Sequence, residues 1–243
     1  MRINKHPIGT VSLNAGYGPT NLMEFTISWG AMLVYSYEFV VRQSRGECLQ
    51  LAYGRTSDVA DSRNFLARTM LGEWLFQTDV DHEFPPDILA RMLGLFNAPS
   101  PDGDRIDVLS ALYRYRTYPY LPCVFHFDEA TQQHAVVGQL DWNKPLVRIH
   151  GCTGAGCLLI RKSAFERVRD ELHEEPFTRI PPYGEDFSAG LRFRKLGIKW
   201  WLAPQIESTH LTVKKITSAD YDPSVVELVP APSGGVAIGE VRK

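Results

Sequence analysis

A run of apolar residues, Trp74-Leu-Phe-Gln-Thr78, ends abruptly in Asp79-Val80-Asp81, and Pro85-Pro86-Asp87 then opens a segment of helical character running from Ile88 to Leu93. A buried strand that delivers carboxylates to its C-terminal end and is followed at once by a helix start is part of a β-α unit. Proline suits a first helical turn because its missing N–H has no partner there, and an acid suits the positive end of the helix dipole. Residues i and i+2 share a face of an extended segment, so the spacing predicts that Asp79 and Asp81 converge on one hard cation. Open α/β sheets bind ligands at the carboxyl ends of their strands, where this connection must lie.

The rest of the chain repeats the pattern. Pro7 to Leu13 and Cys48 to Tyr53 read as short strands, each followed by a helix, Asn21 to about Phe39 and then Ser57 to Leu71, the second capped by Asp58 or Ser57. Further strands are expected at Ile106–Tyr113, Cys157–Ile160 and Ile198–Leu202, and further helices at Lys162–His173 and Glu185–Leu196. This order predicts an α/β fold with a mostly parallel sheet flanked by helices in a single domain. Between Tyr113 and Val147 the pattern turns to loops and hairpin-like pieces, and Asp222 to Lys243, rich in Pro, Gly and Val without periodicity, predicts a loosely held tail.

Composition excludes several classes. A net charge of −2 gives no global attraction to nucleic acid or anionic membrane, so a polyanionic partner must be met locally. No leader pattern opens the sequence, and its most apolar long window, Phe25 to Val41, carries Glu38 and polar residues, which predicts a core helix and not a membrane span. Four irregularly spaced cysteines (Cys48, Cys123, Cys152, Cys157) fit neither a disulfide framework nor a zinc site, and a reducing, cytoplasmic setting is the expectation. Gly151-Cys-Thr-Gly-Ala-Gly156 lacks the Lys-Ser or Lys-Thr of a Walker phosphate loop, and the glycine-rich Asn14 to Gly18 lacks the basic residue that would hold a triphosphate.

Four ordered blocks carry a family resemblance: Asp61-Ser-Arg63-Asn64; Trp74 through Asp79-Val-Asp81 to Phe84-Pro-Pro86; Gly154-Ala-Gly-Cys157 through Ile160 to Phe165; and Gly184-Glu185-Asp186-Phe187 through Arg192 and Gly197 to His210. In that order they resemble a GT-A-fold (Rossmann-like) glycosyltransferase, nucleotide-sugar-dependent with a D-x-D motif, and especially the short forms common in bacteriophage genomes. The resemblance implies one GT-A domain over residues 1–215, with a nucleotide-sugar half to about 104 and an acceptor half from 105, ahead of a tail at 216–243.

It also implies roles. Asp81 becomes a direct ligand to manganese or magnesium, His210 the remaining protein ligand, and Asp79 a group that meets the ribose, the metal or a metal-bound water. Asp186 takes the part of general base in inverting members, with Glu185 as neighbour or acceptor binder. Arg63 grips phosphate or the base, Asn64 binds the nucleotide or backbone, and Tyr53-Gly54-Arg55 lies beside the base pocket. Gly154 lets the backbone approach the sugar. The implied donor is a nucleoside-diphosphate sugar, UDP-linked in expectation. The Tyr113 to Tyr120 ladder, alternating with Arg114 and Arg116, together with Trp142 and His150, suggests an acceptor surface. A hydroxymethylated base in phage DNA is one acceptor, and a glycan or protein is another. A nucleotidyltransferase or a non-catalytic sugar-binding module are the competing classes, and retention or inversion of configuration is left open.

Overall fold

The structure, a computed structural model, describes residues 7–14, 22–43, 48–54, 58–212, 217–222, 224, 226–230 and 236–241. The first half runs β1 (Pro7–Asn14), α1 (Leu22–Gln43), β2 (Cys48–Tyr53), α2 (Val59–Thr69), β3 (Trp74–Asp79), β4 (His82–Glu83), α3 (Ile88–Phe96) and β5 (Val108–Leu112). A strand-rich middle follows with β6 (Val124–Asp128), β7 (Gln133–Val136), β8 (Val147–Ile149), β9 (Gly151–Thr153) and β10 (Cys157–Arg161). The remainder is α4 (Lys162–Leu172), α5 (Glu185–Lys195), β11 (Trp200–Glu207), β12 (Thr209–His210), β13 (Val226–Pro230) and β14 (Val236–Val241).

Seven strands form the central sheet in the order β2-β1-β3-β10-β5-β11-β8. β1 pairs parallel with β2 and β3, and β5 parallel with β11, while β10 lies antiparallel between β3 and β5, and β8 closes the far edge antiparallel to β11. Five strands therefore point one way and two are reversed, which makes this a mostly parallel α/β sheet.

Period-two alternation sends neighbouring side chains of each strand into opposite helical layers. On one face Phe76, Leu109, Leu159 and Trp201 pack with Phe25 and Met32 of α1 and with Ile88, Met92 and Phe96 of α3. On the other, Leu75, Val108, Leu158 and Leu202 pack with Leu66 of α2, Phe165 and Val168 of α4, and Ala189 and Phe193 of α5. Both layers are buried, so the strands read as continuous apolar runs.

Local chemistry sets the helix ends. Asp58 caps α2 by accepting from the N–H groups of Ala60 and Asp61; Ser57, the other candidate cap, lies outside the described residues. α5 ends on Gly197 at φ 70°, with Ile198 N–H donating to Phe193 O at 2.8 Å and Gly197 N–H to Arg194 O at 2.9 Å. That left-handed glycine stop turns the chain directly into β11.

As the core helix expected, α1 buries Phe25, Met32, Ser36 and Val40, and it leaves Met23, Ile27, Val34 and Tyr37 exposed, so it covers one side of the sheet. In the C-terminal stretch, β13 and β14 pair antiparallel. No described helix is long and apolar enough to cross a membrane.

Candidate active site

The C-terminal ends of β3, β5 and β11 and the N-terminus of α5 enclose a cleft of about 250 Å³, lined by Arg63, Asp79, Asp81, His82, Tyr113, Arg116, Arg179, Glu185 and His210 among others. β3 ends at Asp79, and Val80-Asp81 form a turn. Strand alternation therefore ends before Asp81, and the two carboxylates meet different partners.

Asp79 is taken up by Arg63. One guanidinium nitrogen lies 3.0 and 2.9 Å from its two oxygens, while another donates to Ala155 O at 2.8 Å. Arg63 is buried, and Glu185 adds a contact at 3.5 Å. Burial opposes the Arg63 charge, yet Asp79, Glu185 and Asp186 outweigh it and raise its pKa above the ordinary value. Burial pushes Asp79 up, with Arg63 pulling the other way. Arg63 thus anchors the cleft floor through Asp79 and the β9–β10 connection.

Asp81 belongs to a second cluster. The two-residue strands β4 and β12 pair antiparallel with His82 directly opposite His210, so residues distant in sequence present their rings side by side, 4.6 Å between centroids. Leu211 N–H donates to Asp81 O at 2.7 Å and locks the turn to this pair. Asp81, His82 and His210 each offer one ligand atom within 4.8 Å of the others.

These residues fit a divalent cation on their own chemistry. Oδ1 of Asp81 is buried and accepts no hydrogen bond. His210 Nδ1 lies 2.8 Å from Arg114 O, an acceptor only, so Nδ1 carries the proton and Nε2 presents its lone pair to the cluster. His82 Nδ1 is held 2.9 Å from Ser208 Oγ. Burial drives the pKa of His82 well below the usual imidazole range and that of His210 down to about 4, so both rings are neutral near pH 7, as ligation requires. Asp79 is not a member of this cluster; its oxygens are committed to Arg63.

Tyr113, at the end of β5, is buried against the cluster and its hydroxyl accepts from Gly156 N–H at 3.2 Å. A Cβ at Gly154 would collide with that hydroxyl, and one at Gly156 would lie 2.5 Å from His82 Nε2. Both glycines bring the backbone against Tyr113 and His82.

At the start of α5, Glu185 lines the cleft beside Arg63, whereas Asp186 points its Oδ1 to the Phe187 N–H at 2.8 Å. Burial, then Glu185, pushes the Asp186 carboxyl up to about 6. Asn64 is absorbed by structure: it accepts from Phe177 N–H at 2.8 Å and donates to Thr178 at 3.3 Å. Tyr53 ends β2 with 55% of its surface exposed and is not among the cleft residues, and Arg55 lies outside the described residues.

Half of the Tyr-Arg ladder serves packing. Tyr113 and Arg114 are buried, the latter with its guanidinium 5.3 Å from the Trp142 ring and 4.7 Å from that of Tyr221, while Tyr115 and Tyr118 keep exposed faces. Arg116 reaches into the cluster and binds both Asp81 and His210. Sequence reasoning missed His82 and this placement of Arg116. The only signal for His82 was its adjacency to Asp81.

No family model matches the chain, and no curated protein matches it in sequence. Among solved structures, GalNAc-T7 with UDP, GalNAc and Mn2+ superposes at a TM-score of 0.54 and 13% identity, over 84% of this chain and 43% of that one. UDP-glucose pyrophosphorylase complexed with UDP-glucose matches at 0.47 and 11% identity over 88% and 96% of the two chains, and A197 from STIV at 0.41 and 16% over 96% of each. The fold is GT-A-like: a mixed α/β domain on a mostly parallel seven-stranded sheet.

Proposed function

We propose that this chain is a metal-dependent glycosyltransferase that moves a sugar from a nucleoside-diphosphate sugar to a hydroxyl acceptor. The observation that carries the reading is the Asp81–His82–His210 cluster, with its orphaned carboxylate oxygen and two neutral imidazoles, inside a cleft at the strand ends of a GT-A-like fold. One carboxylate and two imidazoles suit manganese better than calcium or magnesium. UDP and Mn2+, the ligands of the GalNAc-T7 structure, are the donor nucleotide and cation to try first.

When bound, the cation neutralises charge that grows on the departing nucleoside diphosphate. The protein's own groups do the rest. Asp81, His82 and His210 would hold the ion, and Ser208 and Arg114 O orient the two rings. Arg63 keeps Asp79 fixed at the cleft floor. Asp186, with its carboxyl near 6, is ionised at neutral pH and yet basic enough to take the proton of an acceptor hydroxyl. Glu185 lines the same cleft and serves to position the acceptor.

The proposed acceptor is a hydroxymethylated base in DNA, for which the exposed faces of Tyr115 and Tyr118 offer stacking surfaces; a glycan or protein hydroxyl is the alternative the same assay separates. Incubation with manganese, a panel of nucleotide sugars and each acceptor class should release nucleoside diphosphate, and Asp81→Ala should stop it. Release that continues unchanged in that variant refutes the proposal, and binding of nucleotide sugar without turnover would make the chain a sugar-binding module.

A further inference from the structure

The cation cluster already holds a positive charge from the chain itself. Arg116, on the β5–β6 connection, donates from Nε to His210 Nε2 at 2.8 Å and from Nη2 to Asp81 Oδ2, while those two acceptors lie 3.7 Å apart. The fork of the guanidinium spans one oxygen of Asp81 and the ring nitrogen of His210, two members of the candidate ligand set.

The His210 contact and metal ligation exclude one another by valence, while Asp81 keeps Oδ1 without a hydrogen bond. His210 Nδ1 carries its proton against Arg114 O, so Nε2 has a single in-plane lone pair, which either accepts the Arg116 N–H or ligates a metal. The Arg116 side chain is 34% exposed at the cleft mouth and springs from a connection outside the regular strands, so it has a route away.

Building on the proposed cation site, we infer that Arg116 is a resident counter-cation of Asp81 and His210, and that a divalent ion binds by displacing it. It is therefore a residue that sets how tightly the enzyme holds metal. Displacement gives up the charge-assisted hydrogen bond to His210 Nε2 and a resident positive charge beside Asp81, so removing the guanidinium should tighten metal binding roughly tenfold.

Mn2+ binding to the full chain, followed by electron paramagnetic resonance and by calorimetric titration with no sugar present, tests this without reference to turnover. Arg116→Gln and Arg116→Met should each bind Mn2+ roughly tenfold more tightly than the parent. Arg179→Gln removes a charge lining the same cleft, one whose nearest acid is Asp58, and should change affinity by less than about twofold because exposed charges are screened. Asp81→Asn should abolish binding. Affinities of both Arg116 variants within about twofold of the parent, or an equal gain in Arg179→Gln, overturn the displacement while leaving the metal site intact. Absence of Mn2+ binding in every form, the Arg116 variants included, overturns the metal site itself and this inference with it.

Discussion

Asp186→Asn separates the chemistry proposed for this side chain from its effect on the fold. Burial and Glu185 push the carboxyl up to about 6 from an ordinary 3.8. That difference of about two units corresponds to ~3 kcal/mol of disfavour for the ionised form. Because the folded chain holds this proton more tightly than the unfolded chain, the stabilisation is fully present below about pH 3.8 and is lost as pH rises through about 6. An asparagine keeps an oxygen to accept from Phe187 N–H, bonded at 2.8 Å to Asp186 Oδ1, and never ionises. The variant should therefore match or trail the parent near pH 4 and exceed it by ~1–3 kcal/mol at pH 8, with about 2–4 °C in Tm for each kcal/mol. The same change removes the proposed base and should lower transfer by roughly 10²–10⁴. Urea unfolding followed by tryptophan fluorescence at pH 4, 6 and 8, beside nucleoside-diphosphate release, measures both effects. A stability difference that does not vary with pH refutes the buried-carboxylate argument, and undiminished transfer removes Asp186 from the role of base.

Three further outcomes are expected. Activity of the parent should rise with pH through about 6 and level off above 7, since the proton acceptor must be ionised; a rate that falls over that range contradicts the assignment. Gly156→Ala places a Cβ 2.5 Å from His82 Nε2 and should weaken Mn2+ binding roughly 10–100-fold, read by calorimetric titration, because the ring must move off the cluster. Arg63→Met leaves Asp79 buried without its guanidinium and should destabilise the fold by ~3–5 kcal/mol in urea unfolding, far more than a surface arginine would.

Much of the scaffold was legible in the sequence because it rests on local signals. Strands such as Trp74–Asp79 and Cys157–Arg161 open on consecutive apolar residues, Asp58 is a cap by residue type, and Gly197 sits where a helix must stop. The reversed strand β10 inside the sheet was not legible, since its apolar run is the same in either direction. The candidate site was legible in its membership more than in its wiring. Asp81, His210, Arg63 and Glu185 do come together in one cleft. The turn at Val80-Asp81, however, breaks the alternation that would have joined Asp79 to Asp81, and only the β4–β12 pairing brings His82 opposite His210. Asn64, beside Arg63 in sequence, faces the backbone of Phe177 because neighbouring helical positions point in different directions. Long-range pairings of this kind leave no periodic trace, so neither His82 nor Arg116 announced its place.

Asp81, His82 and His210 are proposed to hold a divalent cation beside a nucleoside diphosphate. Anomalous diffraction at the manganese edge, from crystals grown with MnCl2 and UDP, tests it most directly. A single strong peak within about 2.0–2.3 Å of an Asp81 oxygen and of the His82 and His210 nitrogens that face the cleft, with the UDP phosphates on its open side, is the predicted result. A peak elsewhere, or none at the cluster while UDP is bound, would contradict it.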